Sequence, residues 1–132
     1  MVKTYPKGTW VELTARLAST CFDCRCRNPE CNVTLIDPAN VYALDQLYVA
    51  IGGFDILSGY RCEAHNQKVG GARASYHVRG MAADIEPTKV SVKMAAAEAE
   101  KIIVYKQGGV GTYSQRGFIH VDSRPCRVRW QG

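Results

Sequence analysis

The chain has 132 residues, 46% of them apolar and 22% charged, a balance that supports a folded core and excludes a disordered chain. No apolar run approaches the ~18 residues that a membrane span needs. The opening Met1-Val2-Lys3-Thr4-Tyr5-Pro6 lacks the apolar stretch of a secretory leader. Seventeen basic residues against twelve acidic ones give a charge of +5. That excess favours a polyanionic partner such as nucleic acid, anionic lipid or a bacterial wall. The cations are scattered apart from Arg124, Arg127 and Arg129, and no nucleic-acid-binding motif is present. Neither nucleic acid nor a membrane is therefore an expected partner, and a length of this size implies one domain over residues 1–132, expected to be a monomer.

In chain order, residues 9–19 carry apolar side chains at helical spacing (Val11, Leu13, Leu17, Ala18) and predict a first helix. Residues 20–32 form a cysteine-rich irregular loop, an N-terminal elaboration of the domain. Asp37-Pro38 opens a helix, with aspartate as N-cap and proline at the first position. Its stripe of Val41, Leu44, Leu47, Tyr48 and Ile51 ends at Gly52-Gly53. A short strand is expected over Phe54–Ser58, a short helix near Glu63–Val69, and a strand of small residues over Met81–Ile85. Residues 89–105 predict an alanine-rich helix broken by Gly108-Gly109. Val110–Tyr113, Phe118–Asp122 and Val128–Trp130 read as strands. The sum is an α+β fold, a small and mostly antiparallel sheet flanked by helices.

Six cysteines are many for this length. Cys21, Cys24, Cys26 and Cys31 crowd together, while Cys62 and Cys126 stand apart. Six cysteines allow fifteen disulfide connectivities, among which spacing does not choose. The crowd is alternatively a tetrahedral thiolate site for a second, structural zinc.

Chemistry concentrates at His77, Asp84 and His120. Two imidazoles and a carboxylate make a three-ligand zinc set, which leaves one coordination position for water and so marks a catalytic metal rather than a structural one. On the Phe118–Asp122 strand, Ile119 and Val121 alternate toward a core, while Phe118, His120 and Asp122 face the other side. Ala82 and Asp84 share a face, and Gly80 lets the segment after His77 fold back over the strand.

Several motifs then resemble those of the zinc D-alanyl-D-alanine carboxypeptidase family. They are Ser58-Gly59-Tyr60-Arg61, His65-Asn66, Val69-Gly70-Gly71-Ala72, Ser75-x-His77-x-x-Gly80-x-Ala82-x-Asp84 and Phe118-x-His120-Val121-Asp122-x-Arg124-Pro125. The likeness extends over residues 35–130 and is strongest to the short version found in phage lysins and bacterial wall peptidases. It implies the fold shared with the hedgehog signalling domain and one catalytic zinc held by His77, Asp84 and His120. It also implies a substrate drawn from peptidoglycan peptides, with Arg61 reading a substrate carboxylate, a task suited to a guanidinium fork. Ser75 is expected to position the loop beside the substrate, and Tyr113 to donate to the tetrahedral intermediate.

The sequence departs from the family where relatives carry a base, a glutamate three residues or a histidine two residues before the last ligand. Gly117 and Phe118 stand there, which leaves Asp122 either as the base or as the residue that orients His120. The implied activity is zinc-dependent hydrolysis of a stem or cross-link peptide, as a carboxypeptidase or an endopeptidase. The alternative is a non-catalytic zinc module of the same fold that binds wall or a protein partner. Without a leader, a phage lysin or virion component made in the cytoplasm and acting on the wall is the expected setting.

Overall fold

The computed structural model describes residues 1–132. Two sheets are present. Strands β1 (Lys3–Pro6) and β2 (Val33–Ile36) pair antiparallel as a small ribbon. The main sheet uses β3 (Phe54–Ser58), β4 (Ala82–Pro87), β5 (Gly109–Tyr113), β6 (Phe118–Asp122) and β7 (Val128–Gln131), in the order β3-β4-β6-β5-β7. Every pair in it is antiparallel except β5 with β7. Helices α1 (Pro38–Ile51), α2 (Glu63–Lys68), α3 (Val92–Ala99) and α4 (Ile103–Lys106) complete the α+β architecture, as expected from the sequence.

Helix α1 starts and stops where the sequence indicates. The Asp37 side chain accepts from the Ala39 N–H, Pro38 occupies the first turn, and Gly52 closes the helix at φ 77°. Its apolar stripe packs with α3, α4 and one face of the sheet. Leu44, Leu47, Ala83, Ile85, Ile119 and Val121 lie at the centre of that core. The opposite face of the same strands presents Asp84, His120 and Asp122. Strand alternation therefore assigns one face of the sheet to stability and the other to chemistry.

The first predicted helix does not form. Residues 9–18 are an irregular segment with a bend and an isolated bridge between Glu12 and Ala18, and a single 3-10 turn follows at Ser19–Phe22. Tertiary hydrogen bonds win over local periodicity there: Ser19 Oγ accepts from the Val11 N–H and donates to the Thr9 carbonyl. The predicted 89–105 helix begins instead at its Ser91 cap and is interrupted at Ile102, whose φ and ψ of −94° and 120° are extended. The break turns Tyr105 inward, where its hydroxyl donates to Asn40 Oδ1 at 2.7 Å. The β1–β2 ribbon was not anticipated, because its strands lie 26 residues apart (Pro6 to Val33) with no hairpin turn between them.

Tyr105 and Asn40 are both buried, so Tyr105→Phe leaves the Asn40 amide oxygen without its donor. The expected cost is about 1–3 kcal/mol, read as a lower urea midpoint with an unchanged slope.

Candidate metal centre

Three elements bring the expected ligands together. Asp84 on β4 lies directly opposite His120 on β6 in the antiparallel register. His77 arrives from the tight turns of residues 75–81, which Gly80 permits at φ 73°, where the Leu35 backbone leaves no room for a side chain. Asp84 Oδ1 lies 3.2 Å from His77 Nε2 and 3.1 Å from His120 Nδ1. The donor atoms of all three lie within 4.8 Å of one another, and all three residues are buried.

The partners of these ligands fix which nitrogens face inward. His77 Nδ1–H donates to the Gly59 carbonyl at 2.7 Å, and His120 Nε2–H donates to Asp122 Oδ2 at 2.6 Å. With neutral rings, lone pairs on His77 Nε2 and His120 Nδ1 then converge on a carboxylate oxygen. Three electron-rich atoms in a buried site repel unless a proton or a cation sits among them. Ligand bonds of about 2.0–2.1 Å at tetrahedral angles place neighbouring donors ~3.3 Å apart, so this set fits zinc. Burial disfavours charge on Asp84, but when the rings carry a proton on their inward nitrogens, hydrogen bonds and charge from His120 and His77 outweigh it and hold the carboxyl well below the usual range.

Asp122 lies behind His120, away from the cleft. It is fully buried, accepts from the Gly109 N–H through Oδ1, and takes both Arg124 Nε and Nη2. Of the two roles expected for it, these contacts match the orienting one. The base role lacks access, since Asp122 does not line the cleft. Burial raises its pKa, but His120 and Arg124 outweigh that and keep it ionised.

Arg61 lies at the site and is already engaged. Nη2 donates to Asp84 Oδ2 at 3.1 Å, Nε to Ser58 Oγ at 3.0 Å and Nη1 to Asn66 Oδ1 at 3.2 Å. This ion pair occupies the second carboxylate oxygen and orients the first. Ser75 Oγ accepts from the His77 N–H, the local positioning expected of it. Tyr113 lines the cleft, stacked on Phe118 with ring centres 4.5 Å apart, and its hydroxyl accepts from Trp130 Nε1 at 2.8 Å.

Sequence reasoning singles out neither Trp130 nor the stacking contact that Arg124 makes. Trp130 covers His120 with ring centres 4.9 Å apart, and Arg124 lies over the Tyr76 ring at 4.4 Å. Gly109 and Gly111 leave space for the Asp122 carboxylate and the Trp130 indole, and any side chain there would collide with them. The alternating Gly109-Val110-Gly111 was the only hint, and it does not say what fills the gap. The cysteine crowd is also corrected. Cys24, Cys26 and Cys31 gather with Cys62, whereas Cys21 packs against the apolar core. The 3-10 turn at Ser19–Phe22 directs Cys21 inward, and α2 begins at Cys62, bringing that thiol to the loop.

An α+β domain that brings two imidazoles and a carboxylate, two of the three from its sheet, to one open cleft has the side-chain set of a metal-dependent hydrolase. The chain belongs to the peptidase M15 family, whose model matches residues 16–122. It is 36% identical over 83 residues to the probable peptidoglycan L,D-endopeptidase MepK of Haemophilus influenzae, covering 59% of this chain and 42% of that protein. It is 30% identical over 100 residues to the peptidoglycan L,D-endopeptidase MepK of Escherichia coli K12, covering 70% of this chain and 53% of the relative. MepK of Shigella flexneri matches to the same extent. The chain thus spans about half the length of these curated relatives, 42% and 53%.

Asp122→Asn removes the charged acceptor behind His120. Zinc affinity at this centre is expected to fall about 10- to 100-fold, followed through the imidazole NMR resonances of His77 and His120 during zinc titration.

Proposed function

We propose that the protein is a zinc-dependent peptidase that hydrolyses a peptide bond in the stem or cross-link peptides of peptidoglycan. The observation that carries this reading is the convergence of His77 Nε2, Asp84 Oδ1 and His120 Nδ1 at the floor of a cleft of about 410 Å³ in a peptidase M15 chain. The names of the MepK relatives favour an L,D-endopeptidase over a D-Ala-D-Ala carboxypeptidase. Of the cleft arginines, Arg61 and Arg124 are paired with carboxylates, while Arg116 over the Tyr113 and Phe118 rings is not, and its charge suits a substrate carboxylate.

His77, Asp84 and His120 would hold the ion. A zinc ion bound there supplies Lewis acidity toward a carbonyl and lowers the pKa of water to about 7. The remaining work falls to the chain. Arg61 holds Asp84 in its ligating orientation, and its two free N–H groups face a substrate carboxylate. Asp122, fixed by Arg124, keeps the proton of His120 on Nε2 and so keeps Nδ1 available as a ligand. The Tyr113 hydroxyl accepts from Trp130, so its own proton is free to donate to the oxygen that gains charge during attack. Trp130 and Phe118 wall the cleft with aromatic surface beside His120.

A second reading has its own support. Apart from the ligands and arginines, the residues lining the cleft carry only tyrosines as ionisable groups, Tyr76 and Tyr113. Gly117 and Phe118 replace the family's base. The alternative is thus a non-catalytic zinc module that binds wall peptides. Incubation of zinc-loaded protein with defined cross-linked muropeptides separates the two, with mass spectrometry reading new amine ends. Cleavage that His77→Ala lowers to the protein-free level supports the peptidase. Binding of the same peptides without cleavage overturns it and supports the module.

For the peptidase, Tyr113→Phe is expected to lower kcat by about 10²-fold with KM little changed, as for loss of one donor to a developing oxyanion.

A further inference from the structure

Away from the cleft, four thiols meet. The Cys62 sulfur lies 3.8 Å from that of Cys24 and 3.9 Å from that of Cys26, and all four sulfurs, with Cys31, lie within 4.8 Å of one another. A tetrahedron of thiolates at about 2.3 Å from zinc has edges of ~3.8 Å. Cys62 lies as near to Cys24 as to Cys26, so no unique partner exists for a disulfide.

The surroundings suit thiolates. The Cys62 N–H donates to the Cys24 sulfur at 3.4 Å. Lys7 Nζ lies 3.4 Å from the Cys26 sulfur and 3.3 Å from its carbonyl. A tetrathiolate zinc complex carries a net charge of −2, and N–H donors and an ammonium are the groups that offset it. Four thiolates held this close together require a positive ion among them.

We propose that Cys24, Cys26, Cys31 and Cys62 form a second metal centre, a structural zinc site that clamps the N-terminal loop onto the segment carrying the first centre. Three ligands come from the loop and one from the N-cap of α2, so the ion closes a long excursion of chain. A closed set of four thiolates leaves no position for substrate, which marks the site as structural. The clamp reaches the first centre along two short paths. Cys62 follows Arg61, whose fork holds Asp84. Phe22 contacts Gly59, where an added side chain would meet its Cα at 2.7 Å, and the Gly59 carbonyl orients His77. Arg25 adds a bond to the Ile56 carbonyl at 3.1 Å, which ties the loop to the edge strand β3.

The test counts metal and thiols on the whole chain. Purified with zinc, the protein is expected to hold two zinc ions, and the His77→Ala, His120→Ala double variant one. Replacing that remaining zinc with cobalt(II) should produce sulfur-to-cobalt charge-transfer absorption, which the Cys26→Ser, Cys31→Ser double variant loses. Denatured with chelator and without reductant, the wild-type chain should titrate all six cysteines as free thiols. One zinc per wild-type chain with the thiolate signature on cobalt exchange leaves this proposal standing and removes the metal from the histidine centre instead. No metal in the histidine double variant, or a titration showing four thiols lost to disulfides, overturns it. Should the cysteine variant fail to fold, the wild-type thiol titration and the cobalt spectrum of the histidine variant decide alone.

Discussion

A carboxylate buried in the middle of a sheet must be compensated, and the site is built around that demand at Asp84. The residue sits on β4, flanked by β3 and β6, where it is buried and little water reaches its charge. Arg61 satisfies one oxygen from the α2 side. His77 and His120 converge on the other. Removing Arg61 leaves the buried charge short of compensation, and such a loss costs several kcal/mol, while the oxygen between the two imidazoles calls for a proton or a cation. The turn at Gly80, the β4–β6 register and the start of α2 all act to deliver those partners.

Around that pair of strands the sheet divides its labour. One face supplies the apolar core shared with α1 and α3. The other face holds the side chains proposed as ligands and their supports, including two glycines on β5 where neighbours need the space. Such a division lets the site be rigid without lying in a loop, since each ligand on β4 and β6 is fixed by backbone ladders on both sides. His77 is the exception. It comes from a turn, and the Gly59 carbonyl and the Ser75 hydroxyl replace the ladder as its supports.

The two cation-seeking clusters are coupled through short stretches of chain. Arg61 and Cys62 are adjacent, so whatever holds the cysteine thiol also sets the guanidinium that holds Asp84. Phe22, Gly59 and His77 form the second link. A loop that looks peripheral by its irregular sequence thus bears on the geometry of the cleft through covalent neighbours and one close backbone packing contact.

The sequence by itself determined a good deal. Cap residues and periodicity located α1, and strict alternation on β6 separated Ile119 and Val121 from His120 and Asp122, because those signals are local. His77, Asp84 and His120 could be singled out because the chain has few histidines and its motifs resemble a known family. Tertiary structure alone decided what depends on distant segments. Residues 9–19 kept helical spacing yet gained more from hydrogen bonds to remote backbone. The 89–105 helix broke so that Tyr105 could reach Asn40. Cys62 joined the thiol cluster in place of Cys21, since a fold, not a spacing, brings a residue across 31 positions (Cys31 to Cys62). Trp130 reached His120 only through the parallel pairing of β7 with β5. The position of Asp122, behind its histidine with Arg124 and off the cleft lining, was likewise decided there, because access to the cleft is a property of three dimensions.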